Sequence, residues 1–285
     1  MAATSGGHEG ALPMAGEPIP GLEPPLVDAH AHIWGADMPY AETAWTHSDY
    51  DFPVEDYLAM LDLHGVAHGV IAAASLFGTY SDYTIESLRA HPRLRGTVAV
   101  DPGIDTARLR AIRDAGVVGI RLQWFFKDPL PDLGGSDYAP LLARLRDLDM
   151  HVHINIDGAK LPRVLPPLIA SGVKTVVDHF GWPDARLDPG GAGLDALVRA
   201  GEAGQVWVKL SSGFRFDDPG TAHRHAANYI ARFGTDRLFW GSDAPFVGWE
   251  DRVSYADTLR LFAEWVPDAG TRHAIGETAY RFYFG

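Results

Sequence analysis

Two histidines stand one residue apart in the apolar stretch Leu26-Val27-Asp28-Ala29-His30-Ala31-His32-Ile33-Trp34. In an extended strand, residues i and i+2 project from one face, so both imidazoles can address one point beyond the strand end. Two histidines on an exposed strand end would read the same way in isolation. Their company separates the two cases: Asp178-His179 closes a later apolar run, and Ser242-Asp243-Ala244-Pro245 closes the last one. His30, His32, His179 and Asp243 on one rim suit either a divalent metal or a polarised carbonyl beside a general base. Asp28 and Asp178 are expected to satisfy backbone groups or to orient a neighbouring histidine.

Something must bring these residues to one rim, and the alternation of the chain supplies it. Strands are expected at 26–34, 69–74, 97–101, 117–122, 151–155, 175–178, 205–210 and 237–241. Helices are expected near 53–65, 82–90, 106–115, 138–148, 194–203, 221–232, 253–265 and 271–282, with a Pro-rich helical segment after the fifth strand. Eight strands, each followed by a helix, predict an α/β fold of the (β/α)8 TIM-barrel type, whose active sites lie at the strand C-terminal ends. An open doubly wound sheet is the runner-up, but Asp28-Ala29-His30-Ala31-His32 is unlike the Gly-rich turn of that fold. The connections after strands 1 and 4 are long, and the first carries Tyr40, Trp45, His47, Tyr50 and Phe52, which suggests a lid or substrate wall.

The composition narrows the function. The chain has 285 residues, 46% of them hydrophobic, enough for one large core. A formal net charge of -13 argues against nucleic acid as a partner. There are no cysteines, which excludes disulfides and thiolate chemistry and agrees with a cytoplasmic location. Apolar runs fall well short of the roughly 18 residues of a membrane span, so no membrane partner is expected. Residues 1–25, rich in Gly, Pro and Ala, lack the basic and apolar regions of a signal peptide. They are expected to be a mobile tail or an arm laid on the barrel or on a neighbouring subunit, with 26–285 as a single domain. Association into a homo-oligomer is left open.

Other polar residues fall at strand ends: Ser75, Asp101, Arg121, Asn155, Lys209 and Ser211. Arg121 could bind a substrate carboxylate or make a structural ion pair. His151 and His153 share a strand face with Asn155; His151 reads as a core or bottom-rim histidine.

The segments Val27-Asp28-Ala29-His30-Ala31-His32, Asp178-His179-Phe180-Gly181 and Trp240-Gly241-Ser242-Asp243-Ala244-Pro245 resemble the signatures of the amidohydrolase superfamily, in its amidohydrolase 2 branch. Ala99-Val100-Asp101-Pro102-Gly103-Ile104-Asp105, Gly119-Ile120-Arg121 and Val208-Lys209-Leu210-Ser211 add a likeness to its lactonase group, typified by pyrone-dicarboxylate lactonase. The resemblance implies a hydrolase that opens a lactone or related cyclic ester without a required metal. His30, His32 and His179 would polarise the carbonyl, and Asp243 would activate water. Arg121 and Arg215 would bind a substrate carboxylate, with Ser75, Thr79, Asn155 and Trp182 around the substrate. For Arg215 the alternative is a solvated loop charge.

Departures from that group matter as well. Asn155 stands where the lactonase has a tyrosine, and Gly181-Trp182-Pro183-Asp184 lacks its arginine. Phe246-Val247-Gly248-Trp249 lacks a histidine that the lactonase carries soon after its catalytic Asp. Fewer cations and more aromatics predict a less charged, larger and flatter small-molecule substrate. Trp34, Tyr40, Trp45, Phe77, Tyr80, Trp124, Phe125, Phe126, Trp182 and Trp249 are candidates for an aromatic wall. Metal-using relatives, including decarboxylases, add a strand-five histidine to the His-x-His pair and the last Asp. One divalent ion, Zn or Mn, would then be held by His30, His32, Asp243 and His153, although His153 lies about 6.6 Å down the strand from the terminal position. A metal-dependent hydrolase or non-oxidative decarboxylase is therefore the alternative, and a non-catalytic ligand-binding barrel is a third.

Overall fold

The structure is a computed structural model that describes residues 14–183 and 190–285. Its strands are β1 Val27–Ala31, β2 His68–Ile71, β3 Leu94–Val98, β4 Val117–Gln123, β5 His151–Asn155, β6 Thr175–Val177, β7 Val206–Leu210 and β8 Leu238–Trp240. They pair in chain order, all parallel, in one eight-stranded sheet. β8 is only three residues long, so the seam with β1 is made by the chain just beyond it. Asp243 N donates to His30 O and His32 N donates to Ala244 O, both at 2.8 Å. The barrel is closed by the two segments that carry the His-x-His pair and the last Asp.

The helices are α1 Val54–His64, α2 Asp82–Ala90, α3 Thr106–Asp114, α4 Tyr138–Asp147, α5 Leu161–Ser171, α6 Ala192–Glu202, α7 Gly220–Phe233, α8 Tyr255–Trp265 and α9 Ala269–Phe284. Local chemistry sets several of their ends. Asp105 accepts from Arg108 N at the start of α3, Asp268 accepts from Thr271 N at α9, and Ser254 with Asp257 forms a capping box at α8. Gly65 and Gly172 end α1 and α5 in the left-handed conformation. α9 closes the bottom of the barrel, where Tyr283 packs with Val27, Val70, Val176 and Phe239. The strand C-terminal ends are therefore the open face. Among the described residues no helix is long and apolar enough to cross a membrane.

Of the N-terminal segment, 1–13 lie outside the described residues. The part from Met14 onward is laid on the barrel. Carbonyls of Met14 and Ala15 accept from the N–H groups of Tyr255 and Ala256, which have no partner within α8. His64 Nε2 adds a bond to Ala15 O at 2.9 Å. The third strand begins and ends three residues earlier than its apolar pattern suggests. Asp101 consequently lies beyond the strand end in an exposed turn.

Candidate active site

The floor of the open end is built on the barrel seam. His32 Nδ1 lies 2.8 Å from Ala72 O, a pure acceptor, so Nδ1 carries the hydrogen and Nε2 of the neutral ring bears a lone pair. That Nε2 is 3.4 Å from Asp243 Oδ1, and His30 Nε2 is 3.5 Å from the same oxygen. His30 Nε2 is buried without a hydrogen-bond partner. The opposing lone pairs of His32 and Asp243 call for positive charge between them, either a proton or a metal ion. His30, His32 and Asp243 form a compact set of three potential metal ligands, so the donors fit a divalent cation. The other carboxylate oxygen is committed: Asp243 Oδ2 accepts from Ser212 Oγ at 2.5 Å and from Arg215 Nε at 3.1 Å.

Asp178, at the end of β6, organises the layer beneath. Its Oδ2 takes two N–H groups of Arg121, at 3.2 and 2.8 Å, and its Oδ1 faces His153 Nε2 and His30 Nδ1. Lys209 Nζ is 3.3 Å from His30 Nδ1 and 3.1 Å from His153 Nε2, wholly buried. Asp28 does the backbone work expected of it, accepting from His30 N and Ser242 N.

Backbone strain is concentrated at this face. His179, Phe180, Gly181 and Trp182 are four consecutive residues at positive φ, and Ser212 and Asp243 are also left-handed. Such conformations cost roughly 1–3 kcal/mol each and persist where surrounding contacts fix them. Gly181 suits its place because a Cβ there would meet Leu197 Cδ2 at 2.6 Å. The left-handed turn brings His179 under Trp182, ring centroids 5.0 Å apart, with His179 Nδ1 bonded to Ser211 Oγ at 2.8 Å. Trp182 Nε1 donates to Asn155 Oδ1 at 2.7 Å.

Above the floor is a cavity of about 480 Å³ lined by His32, Ser75, Arg121, Asn155, His179, Trp182, Arg215 and Asp243 among others. All eight are site candidates in the sequence, but two arginine roles are altered. Arg121 makes the structural ion pair with Asp178 and also bonds Ala73 O; Arg215 holds Asp243 and Val247 O rather than standing free. Thr79 is exposed and absent from the lining, because the chain turns outward at Gly78 after the short helix Ser75–Phe77. Among the described residues His153 belongs to no metal-capable group; it points into the barrel, bonded to Asp178 and Thr97 Oγ1. His151 lies at the bottom against Phe282 and Tyr283, as its depth in the strand implied.

The aromatic wall is smaller than expected. Trp45, Phe125, Phe126 and Trp182 line the cavity, whereas Trp34, Phe77 and Trp124 are buried core residues. Several contributors, Lys127 among them, had no assigned role in the sequence. Ser212 carries no motif signal beyond following a strand. Gln123 and Thr43 line the cavity from β4 and the first long loop. Lys209 was visible as a polar strand-end residue within a family-like segment, with no role assigned to it. Asp184 lies outside the described residues.

Burial sets the protonation states. It lowers His30 well below the ordinary histidine range against the pull of Asp178, and brings His179 down to about 4. Burial also depresses Lys209, to about 7. It opposes ionisation of Asp243, but Arg215 and the imidazoles more than offset it and hold the carboxyl well below its usual range. Asp178 is held low in the same way, burial being outweighed by the donors of His153 and His30 and by Arg121. The floor thus presents an ionised carboxylate beside the neutral imidazoles of His30 and His179, able to take a proton or to ligate a cation.

The chain as a whole is similar to known proteins. The amidohydrolase family model matches residues 27–285. The chain is 28% identical to a 4-sulfomuconolactone hydrolase of Rhizobium radiobacter over 87% of this chain and 86% of the relative. It is 26% identical to a 2-pyrone-4,6-dicarboxylate hydrolase of Comamonas testosteroni, over 80% and 79% of the two chains. It superimposes on a probable 2-pyrone-4,6-dicarboxylic acid hydrolase of Acinetobacter baumannii, crystallised with citric acid, at a TM-score of 0.84 and 26% identity over 90% and 98% of the two chains. With the model spanning the whole barrel, the chain belongs to the amidohydrolase family.

Proposed function

We propose that this protein is a hydrolase that opens a lactone or related cyclic ester of a small molecule, with Asp243 as the base. The observation that carries the reading is the divided use of the Asp243 carboxylate. Ser212 and Arg215 fix Oδ2, and Oδ1 faces the His30 and His32 nitrogens at the cavity floor. The lactone-hydrolase names of the relatives at 28% and 26% identity support the same reaction class.

In this reading Oδ1 removes a proton from water as its oxygen adds to the lactone carbonyl. The proton can rest between Oδ1 and His32 Nε2, where two lone pairs otherwise oppose each other. Donors for the developing oxyanion come from the imidazoles. Lys209, donating to His30 Nδ1, places the His30 hydrogen on Nε2, and the Ser211 hydroxyl can do the same for His179. Collapse of the tetrahedral intermediate breaks the ring C–O bond, and the stored proton passes to the leaving oxygen. The product is an open-chain hydroxy acid, or its keto tautomer, whose new carboxylic acid releases a proton.

A second reading rests on the same ring nitrogens. If His30 Nδ1 donates to Asp178 instead, Nε2 of His30 and of His32 and Oδ1 of Asp243 would hold one divalent metal ion. Such an ion, when bound, supplies Lewis-acid polarisation of the carbonyl and acidifies water.

The test is acid release from a lactone panel by the wild type and by Asp243→Asn, alongside elemental analysis and chelation. Retained turnover in Asp243→Asn would remove the base from Asp243. Stoichiometric zinc or manganese, with activity lost on chelation, would establish the second reading over the first.

A further inference from the structure

The cavity lining carries less usable positive charge than its arginines suggest. Arg121 is paired through two N–H groups with Asp178, and Arg215 through two with Asp243, so each guanidinium is matched by a buried carboxylate. An incoming acid group meets two nearly neutral ion pairs rather than two cations. Lys209 lies below the floor against His30 and His153 and does not line the cavity. Among the described residues, Lys127 is the one lining cation with no carboxylate partner, and it is exposed at the mouth.

The neutral polar groups are aimed by their partners. An indole N–H can only donate, so its bond to Asn155 Oδ1 leaves the Asn155 NH2 as the free donor of that amide. Ser75 Oγ accepts from Trp45 Nε1, which leaves its hydroxyl hydrogen to donate. These are donors for a carbonyl or ring oxygen. Around them, Trp182 and Phe125 meet edge to face at 5.1 Å, and Phe126 lines the mouth although 77% exposed. Large exposed apolar side chains at a cavity mouth are suited to covering a ring face.

We infer that this cavity selects a planar ring lactone bearing at most one acid group. The ring lies among Trp182, Phe125 and Phe126, its oxygens meet Asn155 and Ser75, and a single carboxylate is placed at Lys127. A second carboxylate would be desolvated against already compensated guanidiniums, with no counter-charge to offset the cost. The inference rests on the lactone-opening reading and adds the substrate class.

The test uses two ring series that differ in acid-group number. The wild type is titrated with benzamide, benzoate and isophthalate, which cannot be hydrolysed, and binding is followed by tryptophan fluorescence. Hydrolysis is measured with 2-pyrone, 2-pyrone-5-carboxylate and 2-pyrone-4,6-dicarboxylate, each rate divided by its rate with hydroxide. The expected result is that the neutral or monoacid ring exceeds the diacid by roughly 10-fold or more in both series. Lys127→Met is expected to lower the monoacid relative to the neutral ring by roughly two- to fivefold. Tightest binding by isophthalate, or no binding by any of the three at millimolar concentration, would overturn the inference. Fastest opening of the dicarboxylate would overturn it while leaving the lactonase reading intact. Preferred binding of benzoate with no opening of any lactone would instead count against the lactonase reading alone.

Discussion

Arg215 lays Nε and Nη2 on a single oxygen of Asp243, Oδ2, at 3.1 and 3.0 Å. The pair both neutralises the base and turns its other oxygen to the floor. Removing the guanidinium leaves a buried carboxylate with Ser212 as its remaining donor on that side. Arg215→Met is expected to lower kcat by about 10²-fold through misplacement of the base. Because Arg215 helps hold the Asp243 carboxyl below its usual range, the acid limb of the kcat/KM profile should move to higher pH. Arg215→Lys keeps the charge without the two-pronged bond, so it should restore the limb more than the rate. An unmoved acid limb in Arg215→Met would show that Asp243 is not the titrating base.

Gly241 is where β8 passes β1. A Cβ at this position would lie 2.5 Å from His30 Cβ and 2.8 Å from His30 N, contacts that a backbone cannot yield without opening the seam. Gly241→Ala is expected to destabilise the fold by about 1–3 kcal/mol and to move His30 off the Asp243 oxygen. Gly103→Ala, with nothing within 4 Å of the added carbon, is the matched control. Denaturant unfolding of the two variants checks the difference; equal midpoints would refute the close approach.

The barrel was legible because eight apolar runs alternate with capped helical segments, and the floor because His30, His32, His179 and Asp243 each close a strand. What the sequence concealed were relationships between side chains of different strands. A strand-end arginine looks alike whether it awaits a substrate, as expected of Arg121, or is already bonded to Asp178 across the barrel. His153 and His151 differ from His30 only in depth, and depth depends on the stagger of neighbouring strands. Trp34 and Phe77 face inward because the first long loop folds back so that Trp34 bridges to Phe52, a pairing with no local signal.

Trp182 occupies a left-handed residue and holds Asn155 by one hydrogen bond. Trp182→Phe keeps a ring beside His179 and Phe125 but releases the Asn155 amide to rotate. The expected effect is a roughly 3- to 10-fold rise in KM, the worth of one hydrogen bond, with little change in kcat or in unfolding midpoint. Trp182→Arg goes further, placing an unpaired cation in an aromatic seat, and should lower kcat/KM without unfolding the protein. Unchanged KM in both variants would put Trp182 outside the binding surface.

His151 offers a pH test away from the reacting groups. It is packed at the barrel bottom against Phe282 and Tyr283, and burial brings its pKa down to about 3 from 6.5. The folded state therefore keeps it neutral over a range where the unfolded chain binds a proton. A depressed pKa gives stability that is present above 6.5 and lost as pH falls toward 3, since protons favour the unfolded chain in that window. Between pH 7 and pH 5 this one histidine should remove about 2 kcal/mol of stability. His151→Leu abolishes that contribution, so its loss of stability over the same interval should be smaller than that of the wild type by about 2 kcal/mol. Urea unfolding at the two pH values gives the comparison directly, and equal losses in the two proteins would mean that His151 is already protonated within the fold.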